Sequence, residues 1–145
     1  MPTVTPSWAY TLQLPHDPRS PGIARATLRT VLDARALAEL TPTAELVAAE
    51  LLANAHRHTT GPYALRLRSV APGRVRVGVW DTDPRVPPGF VAADGVSRVV
   101  PPDLGAEDGR GLQLLRACAD SWGAAELGGS GGKVLWAECQ GGDLS

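Results

Sequence analysis

Two alternating segments joined by "APG" constrain this chain more than any other feature. "YALRLRSV" and "RVRVGVWD" each read as a strand, and the link between them reads as a hairpin turn. Leu65 and Leu67 point one way, and so do Val75, Val77 and Val79. Arg66, Arg68, Arg74 and Arg76 point the other way. One face is therefore core and the other wet, as in a sheet covered by helices on one side only. The arginine face reads as solvated surface, with a docking patch as the alternative. "SWAYTLQL" adds a strand near the N-terminus, and "AAELGGSGGKVLWAEC" reads as a closing hairpin that turns at its glycines.

Helical periodicity fills the intervals. "IARATLRTVLDARAL" offers Ile23, Leu28, Val31 and Leu32 as an inner face. "TPTAELVAAELLANAHRHTTGP" carries stronger punctuation: Thr41 as N-cap, Pro42 at the first helical position, and Gly61-Pro62 as the stop. His56, Arg57 and His58 occupy its last turn, where positive charge suits the helix dipole. "GRGLQLLRACADSW" reads as a third helix ending at Gly123. Between Thr82 and Asp108 no period is visible, and a connection that long is usually functional.

Composition limits what these elements serve. A chain of 145 residues suits one domain, and a net charge of −1 provides no global field for nucleic acid or anionic membranes. No segment approaches the roughly 20 apolar residues of a membrane span. The N-terminus lacks a basic start and a long apolar run, so it is not read as a secretory signal. Cys118 and Cys139 lie in apolar surroundings and read as reduced and buried. The default expectation is a cytoplasmic protein.

Three places can carry chemistry. Glu50 and Asn54 are four residues apart and share one side of the second helix, and Arg57 and His58 continue that stripe. The plain reading is an exposed face with a Glu–Asn contact. The sharper one is a metal and proton-transfer site, with Asn54 offering an oxygen to Mg²⁺ and Glu50 taking a proton. Asp81 falls in phase with Val75, Val77 and Val79, so its carboxylate points toward the covered face and needs a donor. That donor is either a nearby turn or a ligand's exocyclic amine. In "EDGRGL", Gly109 and Gly111 stand where a long loop meets a helix, and bare amides there make an anion site to which Arg110 adds charge. "GGSGGKV" is not a P-loop and reads as a turn, with Lys133 able to reach a phosphate.

The order of these pieces resembles the Bergerat-fold ATP-binding superfamily shared by gyrase, the Hsp90 chaperones and histidine kinases. Within it, the chain is most similar to the small anti-sigma-factor serine kinases. "ELLANAHRH" resembles their N-box, "VWDTDPRVPP" the first glycine-box region and "DGRGLQLL" the second; "WGAAELGGSGGKVLWAE" resembles the closing hairpin. The resemblance implies an α+β fold: a two-layer sandwich with a mixed, mostly antiparallel sheet covered on one face by about three helices. It implies ATP and Mg²⁺, with Asn54 as metal ligand and Glu50 as the general base acting on a partner's serine. Asp81 would accept from the adenine amine, and Arg57, His58 and Lys133 would line the nucleotide. Gly109, Arg110, Gly111 and Leu112 would hold phosphates under a lid of residues 82–108. The partners implied are an antagonist protein and a sigma factor, and a homodimer is suggested. Two departures bear on adenine more than on phosphate: "DTDPR", with Pro84 in it, stands for the superfamily's Asp-x-Gly-x-Gly, and Val134 stands where many relatives have a threonine. Two expectations follow. One is a serine kinase acting on the antagonist; the other is a partner-binding module with a weak or degenerate nucleotide site.

Overall fold

The computed structural model describes residues 7–86, 121–127 and 131–140. Strand β1 (Ala9–Leu14) leads into helix α1 (Ser20–Ala34). A single 3₁₀ turn (Ala38–Leu40) then opens onto helix α2 (Thr41–His58). The hairpin of β2 (Tyr63–Ala71) and β3 (Arg74–Asp81) follows, and β4 (Ser121–Glu126) and β5 (Lys133–Gln140) close the sheet. The strand order is β1-β2-β3-β5-β4, and every pair is antiparallel. The fold is α+β, an open sheet with both described α-helices packed on one side.

The hairpin forms as the alternation requires. Ala71 pairs with Arg74 across Pro72-Gly73, and Gly73 takes φ +73° to close the turn. Leu65, Leu67, Val75, Val77 and Val79 are buried, whereas Arg66 and Arg68 are exposed. On that open face Arg74 and Arg76 both reach Glu138 of β5, and Arg76 also stacks over the Trp136 ring at 3.9 Å. A hollow of about 300 Å³ lies here, bordered by Arg66, Arg68, Arg76 and Trp136.

Helix α2 covers the middle of the sheet with Ala44, Val47, Ala48, Leu51, Leu52 and Ala55, which recur at helical spacing and are all buried. They join β3 and β5 in one core, where each fully buried leucine contributes about 1.5–3 kcal/mol relative to an exposed one. The start of α2 departs from the predicted cap. Thr41 is already helical, Leu40 precedes it, and no side chain caps the end, because the 3₁₀ turn feeds directly into the helix. Its end is as read: the helix stops at His58, and both the N–H and the hydroxyl of Thr59 donate to the Ala55 carbonyl.

Two further expectations change. Helix α1 buries Ser20, Ala24, Leu28, Val31 and Leu32, while Ile23 is 52% exposed. Ala24, Leu28 and Leu32 follow a four-residue row, and Ile23 falls on the neighbouring row with Thr27 and Thr30. The helix expected to run to Gly123 cannot do so, because Ser121, Trp122 and Gly123 are strand residues opposite Glu138, Ala137 and Trp136. Alternation wins at this point: Ala124 is fully buried and Trp122 packs against the core, two residues apart on one face. Residues 109–120 of that expected helix, Cys118 among them, lie outside the described residues. Cys139 is buried, as expected.

Candidate functional site

Helix α2 leaves one stripe uncovered by the core. Leu46, Glu50, Ala53, Asn54 and Arg57 recur at spacings of three and four, and Leu46, Ala53 and Arg57 are exposed. Glu50 and Asn54 are half-buried between them, and among the described residues neither side chain has a hydrogen-bond partner. The simple Glu–Asn contact is therefore not formed. An amide oxygen and a carboxylate one turn apart are a donor set that fits Mg²⁺, which takes oxygen ligands and keeps several waters. His58 is exposed beyond Arg57 at the end of the helix.

The other side of the same last turn is anchored. His56 Nδ1 and the Tyr63 hydroxyl share a hydrogen bond of 2.8 Å. The His16 ring stacks on His56 with centroids 4.0 Å apart, and its Nε2–H donates to the His56 carbonyl at 2.8 Å. Tyr63 is fully buried, and burial, then the Asp17 charge, raises its phenol above the usual range. These contacts hold the exit of α2 against the start of β2. Tyr63 also pairs in register with Asp81, the last residue of β3. The polar end of α2 and the carboxylate end of β3 are thus at one end of the sheet, with Gly61 packed beside the Thr82 side chain.

Asp81 points inward, as its phase requires, and is 1% exposed. Its donors come from the chain. The Lys133 ammonium donates to Oδ1 at 2.9 Å and to Oδ2 at 3.0 Å, and the Asp83 N–H donates to Oδ1 at 2.8 Å. Lys133 also donates to the Asp83 carbonyl at 2.9 Å. The turn reading of Asp81 is what forms, with Lys133 added to it. The sequence reading missed this pair, although a signal was present: Lys133 is in phase with the buried Leu135, Ala137 and Cys139, and an inward ammonium needs an anion. Lys133 is accordingly turned to Asp81 and away from solvent, at 1% exposure.

The surrounding backbone fixes this geometry. Asp81 and Lys133 are register partners across β3 and β5. Trp80 Nε1–H donates to the Gly131 carbonyl at 2.7 Å. Gly132 has φ +82°, and a Cβ there would stand 2.0 Å from the Asp81 carbonyl oxygen, so only glycine fits. Beyond the pair, Asp83 accepts from the Arg85 side chain and N–H. The Arg85 hydrogen bonds, with a smaller contribution from the Lys133 charge, hold the Asp83 carboxyl down to about 2. Pro84 is exposed between them. The remaining predicted residues, Gly109, Arg110, Gly111 and Leu112, lie outside the described residues, as does the expected lid from residue 87 onward.

No described helix is long and apolar enough to cross a membrane. Among the described residues no group of three or more His, Cys, Asp or Glu side chains forms a metal cluster. The sequence is similar to an uncharacterized protein of Streptomyces coelicolor, at 41% identity over 73 residues. The match spans 50% of this chain and 62% of that relative. The family described as "Histidine kinase-like ATPase domain" matches residues 14–138, which runs from the last residue of β1 through both described α-helices, β2, β3 and β4 to Glu138 in β5. An open antiparallel sheet, two helices on one face and a match of that extent together mean that the chain belongs to the histidine kinase-like ATPase domain family.

Proposed function

We propose that this chain binds ATP with Mg²⁺ and transfers the γ-phosphate to a serine of a partner protein, as an anti-sigma-factor-like kinase. The observation that carries this reading is the half-buried Glu50–Asn54 pair, which has no hydrogen-bond partner among the described residues and sits on the open stripe of α2. A half-buried carboxylate and amide with no hydrogen-bond partner among the described residues are left open to a ligand, and partly buried polar groups gain from one. In the proposed site, Asn54 ligates the metal, and Gly109, Arg110, Gly111 and Leu112 hold the phosphates. Arg57 and His58 flank the triphosphate.

Phosphoryl transfer asks chiefly for positioning and charge neutralisation. Mg²⁺, when bound, neutralises charge on the phosphate oxygens. Glu50 orients the serine hydroxyl and takes its proton as the serine oxygen bonds to the γ-phosphorus. The bond from that phosphorus to the bridging oxygen of ADP breaks, and ADP leaves. The serine belongs to an antagonist protein; in its other state the domain sequesters a sigma factor. This scheme needs no nucleic-acid contact, and a homodimer is compatible with it.

The test is Glu50→Gln. Phosphate transfer from radiolabelled ATP to the cognate antagonist should fall by about 10²–10⁴-fold, the usual contribution of a general base. Calorimetric affinity for magnesium-ATP should stay within about threefold of wild type, below the tenfold that 1.4 kcal/mol represents. Full transfer by the variant would sink the proposal. One observation favours a second reading, a partner-binding module with a degenerate nucleotide site: the Asp81 carboxylate is already engaged by Lys133. Millimolar ATP and magnesium giving no heat would leave that reading in place.

A further inference from the structure

The Asp81–Lys133 pair has a consequence for which nucleotide the site selects. We infer that Lys133 sets the base selectivity of this domain by holding Asp81 away from any exocyclic amine, so that purine triphosphates bind with little regard to that amine. The inference rests on the nucleotide reading above.

Asp81 has the placement expected of a base-recognising carboxylate, at the sheet end beside the exit of α2. Its acceptors are engaged from within. Oδ1 takes one bond from Lys133 and one from the Asp83 N–H, and Oδ2 takes another from Lys133. What lone-pair capacity remains on Oδ2 is sealed, because the side chain is 1% exposed. Lys133 has no spare donor either, since its three N–H groups meet Asp81 Oδ1, Asp81 Oδ2 and the Asp83 carbonyl. Neither half of the pair presents a free group to a purine edge.

The pair is also hard to open. Lys133 stands within the β3–β5 ladder. Gly132 abuts the Asp81 carbonyl with no room for a Cβ, and the Trp80 indole ties down Gly131. Swinging the ammonium out would leave a buried carboxylate with only one donor, a costly state. The base-recognition step that a bare Asp81 would perform is replaced here by an internal ion pair, and affinity depends on the triphosphate and the metal.

The experiment is calorimetric titration of wild type and Lys133→Ala with the magnesium salts of ATP and of inosine triphosphate. The latter carries a carbonyl where adenine carries its amine. Wild type should bind the two within about threefold of each other. Lys133→Ala, with the ammonium gone and a gap beside the carboxylate, should prefer ATP by about tenfold or more, the usual effect of one hydrogen bond to a charged group. A purely structural role for Lys133 would lower stability without moving this ratio. An ATP preference of tenfold in wild type, or an unchanged ratio in Lys133→Ala, overturns the inference while leaving nucleotide binding intact. Absence of binding by either nucleotide to either protein overturns the nucleotide reading and this inference together. Should Lys133→Ala fail to fold, the wild-type ratio alone decides.

Discussion

Lys133 Nζ lies 2.9 Å from one carboxylate oxygen of Asp81 and 3.0 Å from the other, with both side chains 1% exposed. Two charges so placed are sustained only by each other and by the Asp83 backbone. Removing one partner leaves the other uncompensated in the core. Asp81→Leu or Lys133→Met alone should therefore cost about 3–5 kcal/mol. The double variant Asp81→Leu/Lys133→Met should cost clearly less than the sum of the two. Urea unfolding of the three proteins gives the coupling directly, and additive losses would contradict an ion pair.

Two glycines with positive φ separate conformational strain from collision. Gly73 has φ +73° and open space where a Cβ would go. Gly73→Ala should cost only the left-handed penalty, about 1–2 kcal/mol. At Gly132, φ is +82° and the Asp81 carbonyl oxygen stands 2.0 Å from the added atom. Gly132→Ala should cost distinctly more, since β3 or β5 must move and the Asp81–Lys133 pair with it. Thermal melts that rank the two variants the other way would refute this account.

The end of α2 is held by the Tyr63 hydroxyl on His56 Nδ1. Tyr63→Phe keeps the buried ring and deletes the bond, and should cost about 1 kcal/mol or somewhat more, because the imidazole nitrogen loses its partner. Amide exchange should rise in the last turn of α2 and leave the centre of β3 unchanged. Uniform loss of protection would mean that Tyr63 acts through global stability alone.

Acid should destabilise the domain through two carboxylates in particular. Asp83 titrates at about 2 in the folded chain, held there chiefly by Arg85. The unfolded value is about 3.9. The folded state binds its proton less readily, so this stabilisation is complete above about pH 4 and disappears as pH falls toward about 2. Glu138 acts in the same sense: burial pushes it up, but Arg76 and Arg74 together hold it below the ordinary glutamate value. Its contribution is likewise present near neutrality and lost as pH falls through its folded value. Urea midpoints from pH 7 down to pH 2 should decline, and Asp83→Asn and Glu138→Gln should each flatten the acid limb. An unchanged limb in both variants would show that other carboxylates govern acid unfolding.

The hairpin, the one-sided sheet and the sense of helix α2 were legible in the sequence because each depends on local periodicity. Leu65, Leu67, Val75, Val77 and Val79 alternate, and the apolar positions of α2 repeat at helical spacing; both patterns report which side faces the core. Where two periods overlap, local reading gave way. Ile23 looked like an inner residue until α1 packed along the Ala24–Leu28–Leu32 row instead. Ser121 and Trp122 looked helical, with Gly123 as the stop, until pairing with β5 made all three a strand.

By itself the sequence determined that Asp81 faces inward, that Glu50 and Asn54 share a helix side, and which family the ordered pieces resemble; Lys133 was read as reaching a phosphate. Only the tertiary structure decided that Asp81 meets Lys133, 52 positions along the chain. Chain direction and alternation fix where a side chain points. Which partner it finds depends on the register of β3 against β5, and that register is set by packing across the whole sheet.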